Sequence, residues 1–405
     1  MPHYVRYSPA SSSSGRSPQG HHDHHHKVVH RPHERDTRSE APDFRFCIEL
    51  GIVLRSRQFN HKSSHELETE LSAQLTLAGI ANSIASPSSE SSSKEWTIAS
   101  ELCIPSRPKD HRFGIKLVSP FMRFAPGRHE PWLSKISNLY QTLNKNFEVT
   151  STHQCFTHVH VVPAVGFWTL TQLKSLSKSA LYFERCLDEL VPPYRRRTVW
   201  AKSNRYNKYF GAFPTMSQCF KHIDKQTAFE GIAARMNWCS ADSPTGTALS
   251  VSRAAKKENP ATDFAHDTYR WNFGNIAGEG DGFGTVEFRQ APGSCTSSEA
   301  VTWIMLVGCF ARLSCSPGHS IKPDDAPQTK SLGEWLLYEA SWCSLPHHSL
   351  LENLVAQAIP TSPTPGKIPG MDADNITIDE DQRLRWKLGE RKIGVDKYRR
   401  MLKHI

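Results

Sequence analysis

The chain has 405 residues, 38% hydrophobic and 22% charged, with a formal net charge of +9, which is enough for one large core or two modest ones. Its most apolar run, Ala300 to Leu313, is shorter than the roughly 20 residues that span a bilayer, and the first residues lack an apolar leader, so a soluble, cytoplasmic protein with no membrane partner is expected. Ten cysteines without a CxxC pair argue against a zinc finger and for reduced, buried thiols.

Residues 1–42 are rich in Ser, His, Arg and Pro with almost no large aliphatics, so they cannot repay the entropy of ordering and are expected to be a disordered tail. The run His21 to His26 would bind nickel or zinc in any such tail and carries little functional weight. A catalytic-sized domain is expected over 43–359. It opens with a strand over Phe46–Leu54, in which Ile48, Leu50, Ile52 and Leu54 share one face while Glu49 stands with Cys47, Gly51 and Val53 on the other. Ser63 and Glu66 have capping-box spacing, and Leu67, Leu71, Leu75 and Ala78 follow at helical spacing to a stop at Gly79. The Ser-rich stretch 83–94 reads as a loop, and Trp96–Ile104 and Phe113–Met122 as strands.

Pro131 opens a helix carrying Ile136, Leu139, Tyr140, Leu143 and Phe147. Thr157-His158-Val159-His160-Val161 then alternates two imidazoles with valines, and one helix is expected from about Thr169 to Leu190. The segment beyond Pro192-Pro193, through Arg195, Arg196 and Asn204–Phe213, keeps no period and reads as loops. Tyr269–Phe273 and Thr285–Gln290 flank glycines 278, 280, 282 and 284, which reads as a hairpin. Glu287 and Arg289 share one face of the second strand, with Val286 and Phe288 opposite. A helix capped at Ser297 or Ser298 runs through Leu313, and Leu332–Trp342 and Ser349–Ile359 add two more. Strands and helices do not alternate regularly, so the expected fold is α+β with a curved, largely antiparallel sheet.

Residues 360–380 read as a linker, with four prolines and two glycines by position 370, and 381–405 as a basic helical tail. That tail carries nine Lys or Arg against two acids from residue 383 onward, so seven of the nine net positive charges sit in it. Little charge is left for a basic channel elsewhere, and a nucleic-acid partner is not expected. No GxxxxGK[ST] or GxGxxG motif occurs, and the alternating glycines from 278 to 284 read more readily as a hairpin tip than as a phosphate cradle. Each site residue also has an ordinary reading, an HxH pair being weak evidence alone and Glu287/Arg289 being a possible surface pair. A carboxylate on a strand inside the domain, however, must be paired or bound to a metal.

Taken in order, Phe46-Cys47-Ile48-Glu49, Trp96, Leu117-Val118-Ser119-Pro120, Thr157–Val161 and Thr285–Arg289 with Gly293 resemble the fungal amidoligase family, similar in turn to glutamine synthetase and glutamate-cysteine ligase. Weaker echoes are Phe183-Glu184, Arg195-Arg196, Ser203-Asn204 and Trp271-Asn272-Phe273. The resemblance implies a glutamine-synthetase-like sheet holding ATP and Mg²⁺ or Mn²⁺, and a carboxylate–amine ligase that forms an amide through an acyl phosphate on a small amino-acid or peptide-like substrate. It implies Glu49, His158 and Glu287 as metal ligands, Arg289 as the catalytic phosphate contact, and His160 beside Arg289 in cofactor binding. Two positions depart from the family pattern: Gly51 and Lys116 stand where carboxylates are usual. They motivate the alternative of a catalytically impaired protein of the same fold that acts by binding; within the ligase reading, Lys116 would instead supply a fixed positive charge, or Glu101 would reach in as a substitute ligand. The acyl and amine substrates and the oligomeric state are left open.

Overall fold

A computed structural model describes residues 41–85, 94–101, 103–196, 198, 200–207, 209–237, 269–277 and 284–361. The expected disordered tail up to residue 40, glycines 278, 280 and 282, the Pro/Gly linker from 362 and the basic tail lie outside these residues.

The fold is α+β, built on a mostly antiparallel sheet of nine strands. β1 (Phe44–Ser56), β2 (Asn82–Ile84), β3 (Trp96–Ser100), β4 (Phe113–Val118), β5 (Met122–Phe124), β6 (Phe147–Thr150), β7 (Phe156–Pro163), β8 (Trp271–Asn272) and β9 (Val286–Pro292) follow in the chain. The path across the sheet is β2-β3-β4-β1-β7-β9-β8, with β5 and β6 pairing the two ends of β1. Among these nine strands, only β2 and β3 pair in parallel. The long β1 is the spine. Its alternation sends Phe46, Ile48, Leu50, Ile52 and Leu54 into the core, where β4 supplies Phe113, Ile115 and Leu117 and β7 supplies Val159 and Val161.

Ten α-helices occur among the described residues: α1 (Ser64–Leu77), α2 (Glu130–Asn146), α3 (Leu170–Tyr182), α4 (Glu184–Leu190), α5 (Pro193–Arg196), α6 (Met216–Asp224), α7 (Phe229–Met236), α8 (Ser297–Cys315), α9 (Thr329–Trp342) and α10 (Ser349–Ala356). The central one is α8, apolar around nearly its whole circumference and buried from Ala300 to Ser314 among β1, β7, α2, α3, α9 and α10. It is the one described helix long and apolar enough to cross a membrane, and most of it is buried within the fold. Its cap is Thr296, one residue before the expected serines, in a full capping box with Glu299.

Elsewhere the capping rules hold with small shifts. Ser63 caps α1 by accepting from the Glu66 N–H at 3.3 Å, but the Glu66 carboxylate reaches Lys62 N at 2.8 Å rather than Ser63 N. The single helix expected over 169–190 is broken at Phe183, and the segment expected to be loop contains the short α5; neither α6 nor α7 was evident as periodic sequence. The Phe183 break has a buried purpose. Glu184 turns inward to bind Arg270 NH1 at 2.8 Å and the backbone N–H groups of Asn204 (2.7 Å) and Arg205 (3.1 Å), and it also accepts from the Ser203 hydroxyl. Asp188, one turn on, takes Arg270 NH2 at 3.1 Å; burial outweighs Arg270 there and raises the carboxyl to about 6.

Two buried arginines close the frame. Arg312 on α8 binds Glu339 Oε1 at 2.6 Å, Asp43 Oδ1 at 3.1 Å and the Ala41 and Pro42 carbonyls at 3.5 and 3.0 Å. Arg195 donates from Nε to Gln290 O at 3.0 Å and from NH2 to Arg289 O at 2.7 Å, beside the register shift between β7 and β9 at Thr157/Val159. Burial lowers its pKa to about 10. The nine described cysteines are all free.

Gly308 on α8 faces Phe124, whose ring atoms would stand 2.5 Å from an added Cβ. That ring is itself held against Phe46 and Trp132, with centroids 6.4 and 6.3 Å away. Gly308→Val is therefore expected to destabilise the fold by about 1–3 kcal/mol through overpacking. A lower urea midpoint with an unchanged slope checks this.

Candidate metal centre

The face of β1 opposite the core carries Cys47, Glu49, Gly51 and Val53, all buried. Register decides what meets them. Cys47 lies opposite His160 and Glu49 opposite His158 on β7, while His160 lies opposite Glu287 on β9 and Glu287 opposite Asn272 on β8. Because directly opposed residues of an antiparallel pair point to the same side, two acids, two imidazoles and an amide gather on one buried patch.

The three residues expected to hold a metal do converge. His158 Nδ1 is 3.4 Å from Glu49 Oε2 and 3.0 Å from Glu287 Oε1. His160, expected beside Arg289, comes equally close to both acids: its Nε2 is 3.6 Å from Glu49 Oε1 and 3.6 Å from Glu287 Oε1. One donor atom each from Glu49, His160 and Glu287 lies within 4.8 Å of the others, the spacing a single cation needs. None of these approaches has hydrogen-bond geometry at the imidazoles: both ring nitrogens of His158 and Nε2 of His160 are buried without a hydrogen bond. Buried polar atoms are ordinarily satisfied. Of these three nitrogens, His158 Nδ1 and His160 Nε2 face the two carboxylates, which suits a bound divalent ion, for which neutral imidazole and carboxylate are both good donors.

The other groups hold this set in place. His160 Nδ1 is 3.3 Å from Thr285 Oγ1, which also accepts from Asn275 Nδ2 at 3.1 Å, so the ring is aimed with Nε2 toward the acids. Phe156 stacks on His158 at 4.0 Å and 15°. Asn272 donates to Glu287 Oε2 at 3.0 Å, while its Oδ1 accepts from Asn237 Nδ2 and Gly274 N, both at 2.8 Å. Sequence reasoning did not give Asn272 or Asn237 a role. The motif Trp271-Asn272-Phe273 was the available signal, since a lone Asn between two core aromatics on a short strand has to find partners. Arg289 binds Glu287 Oε1 at 2.7 Å and donates from Nε to Trp200 O at 3.4 Å.

Electrostatics follow from these contacts. Burial raises the Glu49 carboxyl, but Lys116, 3.9 Å from Oε2, and the two imidazoles more than offset it and hold it well below the usual range. Burial also raises Glu287, and the Arg289 guanidinium with His160 and His158 overcomes it to keep that carboxyl low. His160 is lowered by burial yet raised on balance by Glu287 and Glu49. Burial, then the two acids, push the Cys47 thiol well up, so it stands neutral beside them. Glu101, a possible substitute ligand, is engaged in its own loop and accepts from Cys103 N at 2.9 Å.

Residues 45–310 match the family described as "Putative amidoligase enzyme". No curated protein matches the chain. Among solved structures, a bifunctional glutathione synthetase from Pasteurella multocida is similar with a TM-score of 0.38 and 10% identity, covering 78% of this chain and 47% of that one. The chain thus spans about half the length of that enzyme, and a likeness this remote carries nothing about activity.

Proton and cation compete for His160 Nε2. With both acids ionised well below neutrality, Mn²⁺ affinity is expected to fall as pH drops through the raised His160 value and to level off above it. Mn²⁺ titration followed by electron paramagnetic resonance between about pH 5.5 and 8.5 checks this; a flat profile would remove Nε2 from the ligand set.

Proposed function

The chain belongs to this amidoligase family, and on that premise we propose that it is an ATP-dependent carboxylate–amine ligase using Mg²⁺ or Mn²⁺ on a small amino-acid or peptide-like substrate. The observation that carries this reading is the buried meeting of Glu49, His158, His160 and Glu287 from three strands, with imidazole nitrogens left unsatisfied. We further propose residues 43–359 as the catalytic unit, flanked by the N-terminal tail, the linker and the basic helix.

In this reading Glu49, His160 and Glu287 hold the cation, with His158 lying against both acids. When bound, the ion supplies positive charge for the polyphosphate and for charge developing in phosphoryl transfer. Ligation then has two steps. A carboxylate oxygen of the acyl substrate forms a bond to the γ-phosphorus as the bridging bond to ADP breaks; next the amine nitrogen attacks the acyl carbon, phosphate leaves, and the amine's surplus proton passes to solvent. Arg289 is suited to the transferring phosphoryl group. Its guanidinium already stands beside Glu287 at the edge of the cation corner, 14% exposed, and so partly open to a ligand. Asn272 and Thr285 fix Glu287 and His160 against displacement. Cys47, neutral and buried, has no part in acid–base work.

A second reading, favoured by Gly51 and Lys116, is a catalytically impaired protein of the same fold that binds nucleotide or acid without turnover. One assay separates the two. Phosphate release and amide formation are measured with ATP, Mg²⁺ or Mn²⁺ and pools of amino acids and amines, for the wild type and Glu287→Gln. The ligase reading expects a loss of at least about 100-fold in the variant; equal, background-level release from both proteins would end it, and nucleotide binding without turnover would establish the second.

A further inference from the structure

One buried charge is not explained by the cation corner. Lys116 on β4 lies directly opposite Gly51 of β1, which in turn lies opposite Phe156 of β7. These three form the next level of the same buried face, one pleat beyond Glu49 and His158. The level is closed to any further side chain at its middle: a Cβ added at Gly51 would stand 2.5 to 2.7 Å from three atoms of the Phe156 ring. The ring cannot simply retreat, because it stacks on His158 and packs with Val53, Ile104 and Cys155. Glycine at 51, phenyl at 156 and ammonium at 116 therefore fit together as a set.

That set divides Glu49 between two cations. Its Oε1 faces His160, in the corner where a divalent ion has three donors. Its Oε2 lies between His158 Nδ1 at 3.4 Å and Lys116 at 3.9 Å. On the Lys116 side the pairing places a glycine, a phenyl ring, Val118 on β4 and Ala99 and Thr97 on β3, with no carboxylate or imidazole among them. A second divalent ion there would lack an anionic ligand of its own and would meet a like charge.

The ammonium is also short of acceptors. Lys116 is 5% exposed, and among the described residues its one acidic neighbour is Glu49, at a distance beyond hydrogen-bond length. An ammonium has three N–H donors, and no protein acceptor lies within hydrogen-bond length of this one among the described residues, which leaves it room for a ligand. Beside a corner that gathers a cation and Arg289, the group that would satisfy it is an oxyanion.

We propose that Lys116 is a permanent cation of the site: the cluster takes one divalent ion, and the Lys116 ammonium binds an oxyanion, phosphoryl or carboxylate, next to that ion. This rests on the ligase reading and deepens it by fixing how the substrate's negative charge is met. Charge over the Gly51 level is supplied by the chain itself and does not depend on metal concentration.

The test uses the full chain. Mn²⁺ titration by electron paramagnetic resonance is expected to give one ion per chain at the cluster, abolished by Glu287→Gln. Inorganic phosphate and, in a separate arm, succinate are then titrated against the Mn²⁺-loaded protein by calorimetry, to tell phosphoryl from carboxylate recognition. Lys116→Met should weaken whichever anion binds by roughly tenfold, the scale of a charge-assisted hydrogen bond. Lys116→Arg should keep it within about threefold, since the charge is retained. Lys116→Met should also tighten Mn²⁺, because a competing charge on Glu49 is gone; a merely structural lysine would weaken it. Two Mn²⁺ per wild-type chain that are both lost in Glu287→Gln, and so belong to the cluster rather than to the His21–His26 run, or anion affinity unchanged in Lys116→Met, would overturn the proposal while leaving the ligase reading standing. No Mn²⁺ binding at all would remove both. Should Lys116→Met fail to fold, the wild-type stoichiometry still decides.

Discussion

Two carboxylates buried on one face of a sheet are the constraint that organises this molecule. Glu49 and Glu287 are each under a tenth exposed, and neither can stay ionised there without positive charge or donated hydrogen bonds. Around them stand Lys116, two imidazoles and Asn272, each delivered by a neighbouring strand at the required register, and Arg289, two residues along β9 from Glu287. With neutral imidazoles, two acids against one lysine and one arginine leave the patch balanced, so an added divalent ion would make it positive. A positive, water-poor patch is where the oxygens of a phosphate or an activated acid are best held. The second tier serves the same end, with Asn237 fixing Asn272 and Glu184 pinning the loop at 203–205 whose Asn204 holds Trp271 N at 2.9 Å.

Much of this was legible in the sequence because a strand's period is two. Glu49 alone among small residues, His158 with His160, and Glu287 with Arg289 each declare a polar face opposite an apolar one, and the sheet brings those faces together. The α+β class and the hairpin joining Trp271–Asn272 to β9 follow from the same pattern. What period cannot reveal is the third dimension. His160 stands in the cation-sized group with Glu49 and Glu287 because it lies directly opposite Glu287 on β9 and two residues along β7 from His158, the partner of Glu49, a cross-strand register with no sequence mark.

The helical region was read less well, for a related reason. The run from Thr169 to Leu190 keeps its apolar spacing across Phe183, so it reads as one helix; the break is imposed by Glu184, which is drawn to Arg270 some 86 positions away. The helices at 216–224 and 229–236 are short, and capping by Thr215 with Gln218 is a local signal that apolar periodicity alone does not weigh. Gly51 is the converse case. As a residue it looks like a missing acid; in the fold, the aromatic ring above it leaves no volume for one.

The clasp around Arg312 bears on how this protein is to be handled at the bench. Its guanidinium, 1% exposed, draws on main-chain oxygens at Ala41 and Pro42 as well as on Asp43 and Glu339. The few residues leading into the first strand are thus a sealing plug for the longest core helix rather than dispensable leader sequence. A recombinant version trimmed to start at the strand itself would leave Arg312 Nε on Glu339 but take from its NH1 the acceptors at Ala41, Pro42 and Asp43, so cloning boundaries are best drawn upstream of Ala41.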